Sequence, residues 1–236
     1  MQEDVIATEP ELVYLCEYDT RNICYSSYIT SDGSLMACTG DGLFEYSLTD
    51  PSTSERLICA GDIMSVCEVE SCLYFTECVD ESKHVVNRLN IAPNTNGDLE
   101  SCKPSELFSL NFPIGQPTFV TANSNFVIAI SINSLTMFDM KKISSDPKVK
   151  KLEFQPLVVT LNALDEVLVT DGIRLRKYCI DDSGSLDLIW TSPSFWGAEG
   201  IAELPNGRIL VSSNEDKCFY SISKNGKDAM FMVAYS

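Results

Sequence analysis

Polar residues recur just before apolar segments at comparable places along the chain: Asp62 in GDI, Gln116 in GQP, Gln155 in FQP and Glu199 in AEG. Carboxylate and amide oxygens are the ligands that hard divalent cations such as Ca²⁺ prefer. If the fold brings these positions together, they predict a structural or catalytic metal site, with Asn22 as a looser fifth match. The alternative interpretation is that they line a water-filled channel mouth and bind no ion.

The chain contains a single histidine, His84, in the segment DESKHVV. Catalysis by Ser–His–Asp or Cys–His groups would require this residue. Because it lies among charged residues within an insertion, the sequence predicts an exposed loop position. The segment TGDG (39–42) is typical of a hairpin turn rather than a phosphate-binding loop. The sequence therefore favours a non-catalytic protein.

The polar residues described above occur within a repeated sequence unit, which determines where they lie in the fold. An apolar segment, a turn and a second apolar segment recur along the chain. The copies are SDGSLMACTGDGLFEYSL (31–48), VESCLYFTECVDESKHVVNRLNI (69–91), NSNFVIAISINSLTMFDM (123–140), ALDEVLVTDGIRLRKYCI (163–180) and PNGRILVSSNEDKCFYSI (205–222). Their aligned starts are Leu35, Leu73, Phe126, Val167 and Ile209.

Each copy is flanked by further apolar segments, such as LVVTLN (157–162) before it and LDLIWTS (186–192) after it. Four short strands in a unit of about 40 residues are typical of a propeller blade, and helical periodicity is absent. We predict an all-β fold: a five- or six-bladed β-propeller of four-stranded antiparallel blades. Residues 1–236 would form one domain, alone or within a longer chain. The segment ELVYLCEYDT (11–20) either closes a five-bladed ring or is the remnant of a sixth blade.

The last copy resembles an NHL repeat in the segments GIA (200–202), PNGR (205–208), ILV (209–211) and NGK (225–227). It departs from that pattern at 212–213, where Ser-Ser replaces the usual Ala/Ser-Asp. The other copies share only the architecture. NHL-like propellers are in turn similar to the six-bladed gluconolactonase and senescence-marker propellers.

The resemblance implies two kinds of function. The first is a scaffold of NHL- or WD-like repeats that binds protein or RNA through one rim. The second is a metal-dependent lactonase or esterase, because the pair Glu199-Gly200 resembles the Glu-Gly that begins the gluconolactonase metal site. We expect no cofactor under the first interpretation. Under the second, Ca²⁺ or another divalent cation would bind at the channel mouth.

The formal charge of −17 is concentrated in residues 1–140, which carry most of the acidic side chains. A partner of that half is expected to be basic or neutral, and an acidic surface disfavours nucleic acid. The segment KKISSDPKVKK (141–151) holds five lysines but no aromatic residue for base stacking. It is interpreted as a solvated loop between blades, with a nucleic-acid patch as the alternative.

Two aromatic residues, Phe195 and Trp196, directly precede the Glu199 segment. Aromatic residues on a channel rim are typical of an interaction hot spot. They are equally typical of side chains wedged between two blades. We therefore predict a protein partner that binds through one rim, with these two residues as candidate contacts.

Ten cysteines are present, without any CxxC pair. Several lie in apolar segments, which favours reduced core thiols, with one or more disulfides as the alternative. No segment reaches the roughly 20 apolar residues of a membrane helix, and the acidic N-terminus lacks a secretory pattern. A cytoplasmic location is the expectation.

Overall fold

A computed structural model describes residues 23–49, 55–80, 82–91, 103–111, 118–142, 146–181 and 184–234. These residues form twenty strands in five four-stranded antiparallel sheets, and no helix occurs among them. The predicted all-β propeller fold is confirmed, with five blades described. The segment 11–20, predicted to close the ring or begin a sixth blade, lies outside the described residues.

Each blade is a meander whose strands follow chain order from the inside of the ring outward. Blades 1 and 2 comprise β1 (Cys24–Ile29), β2 (Ser34–Thr39), β3 (Gly42–Ser47), β4 (Arg56–Ala60), β5 (Asp62–Val69), β6 (Cys72–Asp80), β7 (Lys83–Asn90) and β8 (Ser105–Asn111). Blade 3 comprises β9 (Val120–Ala122), β10 (Phe126–Ser131), β11 (Ser134–Asp139) and β12 (Lys148–Lys151). Blades 4 and 5 comprise β13 (Val158–Leu161), β14 (Val167–Thr170), β15 (Leu175–Ile180), β16 (Leu186–Thr191), β17 (Ala198–Glu203), β18 (Ile209–Ser213), β19 (Cys218–Ile222) and β20 (Ala229–Ala234).

The hydrophobic core is divided among the interfaces between successive blades, so the central strands are apolar on both faces. Four clusters fill the interfaces 1–2, 2–3, 3–4 and 4–5, around residues such as Leu73, Tyr74, Val167 and Ile209. Among the described residues, no such cluster joins blade 5 to blade 1. The four filled interfaces therefore hold the arc of blades together.

The five aligned start positions all fall on the second strand of a blade, as predicted. Leu73, Val167 and Ile209 each pack against the preceding blade. Leu35 lies on the equivalent face of blade 1, away from blade 2, and no core cluster of described residues lies on that face. Phe126 packs instead toward blade 4, because the structural equivalent in blade 3 is one residue later and a one-residue shift reverses the face of a strand.

Two rims result from this topology. The top rim is the end at which the innermost strands β1, β5, β9, β13 and β17 begin, and it carries the turns between the second and third strands. The bottom rim is the opposite end, with the turns between the first and second strands and between the third and fourth. Along the top rim, backbone hydrogen bonds tie the connection between two blades to a turn of the preceding blade, as from Gly61 N to Asp41 O and from Phe195 N to Ile173 O. Ala198 N of blade 5 donates to Gly172 O of blade 4.

Candidate functional site

The described candidates for the channel mouth, Asp62, Gln155 and Glu199, lie on the top rim at two different depths. The strand pairings align Ser65 of β5 with Val158 of β13. Asp62 and Gln155 each lie three residues before these aligned positions, so they are equivalent in the two blades. In blade 5 the equivalent of these positions is Gly197. Glu199 lies two residues further along and is exposed, accepting a hydrogen bond from Asn214 Nδ2 at 3.3 Å. Gln155 is also exposed.

Of the remaining predicted ligands, Gln116 and the looser match Asn22 lie outside the described residues. Asp62 is partly buried, and its Oδ1 has no hydrogen-bond partner among the described residues. Within the same part of the chain, no three His, Cys, Asp or Glu side chains converge as metal ligands would. Asp62 is therefore the described member of this set with a buried carboxylate oxygen that lacks a hydrogen-bond partner among the described residues.

The single histidine lies in strand β7 and is only 1% exposed, so the expected loop position is wrong. Its Nδ1 is 3.1 Å from Thr118 Oγ1 of blade 3, with which it shares a hydrogen bond. Asp62, Cys78 and His84 are direct partners across β5, β6 and β7 and form one row on the face toward blade 3. Sequence reasoning treated these residues separately, because their alignment depends on the strand register.

This row resembles a nucleophile–base–carboxylate set in composition, but its protonation disfavours nucleophilic chemistry. Burial raises the pKa of the Cys78 thiol, and the nearby charge of Asp62 raises it further. Burial lowers the pKa of His84 despite the nearby charges of Asp62 and Asp80, which favours the neutral imidazole. A reactive cysteine needs a cationic partner that stabilises its thiolate. The row therefore lacks the electrostatics of an activated thiol.

The two aromatic residues of the loop between β16 and β17 point in opposite directions, one into the core and one into solvent. Phe195 is 3% exposed and lies in the core between blades 4 and 5, with its ring centroid 5.9 Å from that of Tyr220. Trp196 is 61% exposed and points to solvent on the top rim. Phe195 thus has the wedged position that the sequence left open. Trp196 is the aromatic side chain that the rim presents.

Hydrogen bonds fix the backbone on both sides of Trp196. Phe195 N donates to Ile173 O at 2.8 Å, and Ser213 Oγ donates to Trp196 O at 2.5 Å. Gly197 has a φ of +65°, and a Cβ there would lie 2.9 Å from the side chain of Glu215. The loop requires glycine at this place for both reasons. The exposed indole is therefore held on a fixed backbone.

Every blade contributes a large exposed apolar residue to the top rim. Four of them lie at the start of β1, at the end of β6 or at the tips of the β10–β11 and β14–β15 turns, and the fifth precedes β17. They are Ile23, Val79, Ile132, Ile173 and Trp196, with exposures from 43% to 72%. Sequence reasoning missed all but Trp196. The signal was an apolar residue inside a turn sequence, as in SINS and TDGIR.

The turn that carries Ile173 is braced by a carboxylate. Asp171 Oδ1 accepts hydrogen bonds from Ile173 N at 2.9 Å and Arg174 N at 2.7 Å, and its Oδ2 forms an ion pair with Arg176 at 2.7 Å. Burial raises the pKa of Asp171, but these hydrogen bonds outweigh it and lower the pKa overall. The guanidinium of Arg176 also lies 3.7 Å from the centroid of the Phe154 ring. The Ile173 turn is therefore as well fixed as the Trp196 loop.

Exposed carboxylates lie among the apolar residues of the top rim. Asp41, Asp80, Glu199, Glu215 and Asp216 are all exposed at this end of the blades. Exposed cations of the same rim, Arg174 and Lys217, lie on blades 4 and 5. The top rim therefore carries more exposed carboxylates than exposed cations, and these carboxylates lie on blades 1, 2 and 5.

The eight cysteines in the described part of the chain are free thiols. Cys38, Cys67, Cys72 and Cys218 are buried, in agreement with the interpretation as core residues. Burial raises the pKa of Cys67 to about 12, which keeps its thiol protonated. Among the described residues, no helix is long and apolar enough to cross a membrane.

No protein-family model matches the chain, and no curated protein is similar enough to be matched. Solved structures do match it. A streptogramin B lyase has a TM-score of 0.60 at 13% identity, covering 94% of this chain and 74% of the lyase. The β-propeller domain of Cps50 (Swd1) from Myceliophteria thermophila has a TM-score of 0.55 at 13% identity, covering 88% and 72%. At such low identity the likeness concerns the fold alone, and it supports the NHL-like β-propeller architecture that the last repeat suggested.

Proposed function

We propose that the protein is a non-catalytic interaction module that binds a partner protein through its top rim. The observation that carries this proposal is Trp196, an exposed indole on a backbone fixed by hydrogen bonds and by the buried Phe195. Tryptophan dominates many binding hot spots because it buries a large area with few rotatable bonds. A preorganised loop also loses little conformational entropy on binding.

The other four apolar residues extend this surface around the rim. Together with Trp196 they give a ring of separate contacts that a single partner could span, with polar groups between them. Such a mixture of apolar anchors and polar surround is typical of non-obligate protein interfaces. The exposed carboxylates favour a partner whose contacting surface is basic or neutral.

Photochemical crosslinking tests this proposal, because it captures a bound partner of any identity. A benzophenone amino acid replaces Trp196 on the top rim or, as the matched control, the 63% exposed Leu164 on the bottom rim. We expect a discrete protein adduct from position 196 and none from position 164, with its yield falling as salt is added. Equal adducts from both positions, or an adduct with RNA, would contradict the proposal.

The lactonase alternative requires two carboxylates at the channel mouth. Strand register gives Asp62 and Gln155 equivalent places, but Gly197 holds the corresponding place in blade 5 and Glu199 lies two residues deeper. The described residues thus offer one carboxylate at that level. The alternative ranks second for this reason, and calcium titration tests it directly.

A further inference from the structure

Blades 4 and 5 carry aromatic residues at equivalent positions of the top rim. Val158 and Gly200 are counterparts, because each pairs with the fourth residue of the second strand of its blade. Phe154 and Trp196 each lie four residues earlier in the chain and are therefore counterparts as well. The surroundings of the two rings differ in one respect, which is the presence of a cation.

In blade 4 the aromatic residue belongs to a complete cation site. The guanidinium of Arg176 lies 3.7 Å from the centroid of the Phe154 ring, and it also forms an ion pair with Asp171 Oδ2 at 2.7 Å. The side chains of Arg176 and Asp171 are only 15% and 16% exposed, so this pair is largely shielded from solvent. An aromatic face and a carboxylate both attract a guanidinium, and both attractions strengthen where water is excluded.

In blade 5 the counterpart ring lacks such a cation. Among the described residues, cations lie over the rings of Phe154 and Trp190 but not over the ring of Trp196. The counterpart of Arg176 in blade 5 is Tyr220, since each pairs with the third residue of the second strand. Tyrosine supplies no positive charge. Blade 5 therefore presents an aromatic ring on the rim without a cation of its own.

The carboxylate that a cation would need is present beside this ring. A Cβ on Gly197 would lie 2.9 Å from Cβ and Cγ of Glu215, so Glu215 packs directly against the residue that follows Trp196. Glu215 is exposed, and its carboxylate forms no hydrogen bond or ion pair within the described part of the chain. Blade 5 thus supplies an aromatic ring and an unpaired carboxylate next to each other.

Two hydrogen bonds fix the turn that carries Glu215 relative to the loop that carries Trp196. Ser213 Oγ donates to Trp196 O at 2.5 Å, and Asn214 N donates to Gly197 O at 3.1 Å. The ring and the carboxylate are therefore attached to backbone segments that hold each other in place. This arrangement reduces the conformational entropy that would be lost when a ligand binds to both.

The other charged groups of this region also favour a cation. Lys217 Nζ donates to Asn214 Oδ1 at 2.5 Å, and Arg174 Nε donates to a serine hydroxyl on the blade 4 side at 3.3 Å, so both cations are bound to neutral groups. Glu199 and Asp216 add two exposed carboxylates to the unpaired one. Three carboxylates and two cations therefore adjoin the indole, which favours a positively charged ligand.

We propose that Trp196 and Glu215 bind an arginine side chain of the partner protein. The site rests on the function proposed above, and it identifies the residue with which the partner is anchored. The partner's guanidinium stacks on the indole and pairs with the carboxylate, as Arg176 does between Phe154 and Asp171 in blade 4. Arginine fits such a site better than lysine, because a planar guanidinium can stack on a ring and form paired hydrogen bonds with a carboxylate.

The indole N–H signals in NMR spectra of the isotope-labelled protein test this proposal, because the chain contains only two tryptophans. The probe is an acetylated glycine–arginine–glycine amide, and the comparison peptide carries the uncharged analogue citrulline in place of arginine. We expect the arginine peptide to shift the Trp196 signal saturably and the citrulline peptide to bind about tenfold more weakly. The signal of Trp190 should not move, because that ring packs against the core between blades 4 and 5. Equal binding of the two peptides would overturn the proposal.

Two variants with the same change of charge examine the carboxylate. Glu215→Gln should weaken binding of the arginine peptide about threefold, whereas Glu70→Gln, at an exposed position on the bottom rim, should leave it unchanged. Equal weakening in both variants would overturn the site, because it would indicate attraction by net charge alone.

The crosslinking experiment separates failure of the arginine site from failure of the proposed function. The partner segment captured at position 196 should contain an arginine, and replacing that arginine with citrulline should weaken binding as Trp196→Ala does. A captured partner that binds equally well after this replacement would overturn the arginine site and leave the proposed function intact. If position 196 captures no partner, the proposed function fails, and the peptide titration still decides whether the rim binds arginine.

Discussion

The two rims of the propeller are built from similar hairpins but present different surfaces. On the top rim each blade exposes a large apolar residue, and Trp196 and Ile173 lie on backbones fixed by hydrogen bonds between blades 4 and 5. On the bottom rim the turns are mostly polar, as in SDG (31–33) and PNG (205–207). Their backbone hydrogen bonds are local, and side chains such as Glu68 and Glu203 link them to the next blade.

Ile29 and Leu164 are exposed apolar exceptions on the bottom rim, so the difference is that the top rim has such a residue on every blade. Solvent-exposed turns are stable with polar residues. The partner proposed for the top rim would account for its five apolar residues.

The largest expected effect concerns the rigidity of the top rim. Gly197→Ala combines a positive φ with overlap against Glu215 and should lower the free energy of unfolding by about 3 kcal/mol. Gly33→Ala on the bottom rim has a φ of +85° but nothing within 4 Å of the added Cβ, so it should cost only about 1 kcal/mol. Urea denaturation of both variants measures the difference. Equal losses would mean that the two rims are equally rigid.

The next effect concerns binding. Trp196→Ala should weaken binding of the crosslinked partner by about 2 kcal/mol or more and leave the free energy of unfolding almost unchanged, because the indole is exposed. Leu164→Ala, the matched change on the bottom rim, should alter neither quantity. Calorimetric titration and urea denaturation give the two values. A Trp196 variant that binds normally but unfolds more easily would show that the indole has a structural role.

A smaller effect is the dependence of the free energy of unfolding on pH, to which the single histidine on the top rim contributes. Burial lowers the pKa of folded His84, whereas the unfolded side chain titrates near its usual value of about 6.5. As the pH falls below about 6.5, the unfolded chain takes up a proton that the folded chain does not, so the free energy of unfolding decreases. Comparison of the wild type with His84→Gln between pH 7.5 and about pH 5 isolates this contribution. An unchanged pH profile in the variant would assign the effect to carboxylates instead.

The smallest expected signal is calcium binding at the channel mouth. With one described carboxylate at that level, we expect no saturable heat when millimolar calcium is added to the wild type. Asp62→Asn and Glu199→Gln serve as the comparison variants. Saturable heat that disappears in both variants would establish a shared cation and restore the lactonase alternative. Heat that persists in both would place the ion elsewhere.

The fold was largely predictable from the sequence. Alternating apolar segments and turns at a period of about 40 residues indicated four-stranded blades, and the five aligned starts fall on the second strand of each blade. Phe126 marks the limit of this reasoning. An alignment by sequence can be wrong by one residue, and in a strand that error exchanges the two faces.

The candidate site was predictable only in part. The segment 195–196 was identified from its aromatic residues, but the roles of its two members were not, since both positions look alike in the sequence. The inter-blade core accommodates one ring, so Phe195 is buried against Tyr220 and Trp196 remains on the rim. The exposed residues at turn tips escaped notice because exposure depends on which end of the ring each turn reaches.

The sequence by itself determined the blade, because alternation of apolar residues and turn chemistry act over a few neighbouring positions. It also determined the uneven charge and the presence of a single histidine. Only the tertiary structure decided which residues meet. It placed His84 in a row with Cys78 and Asp62, and it made part of the predicted lysine loop into the strand β12. The physical reason is that strand register and contacts between blades join residues far apart in the chain, and no local pattern encodes those pairings.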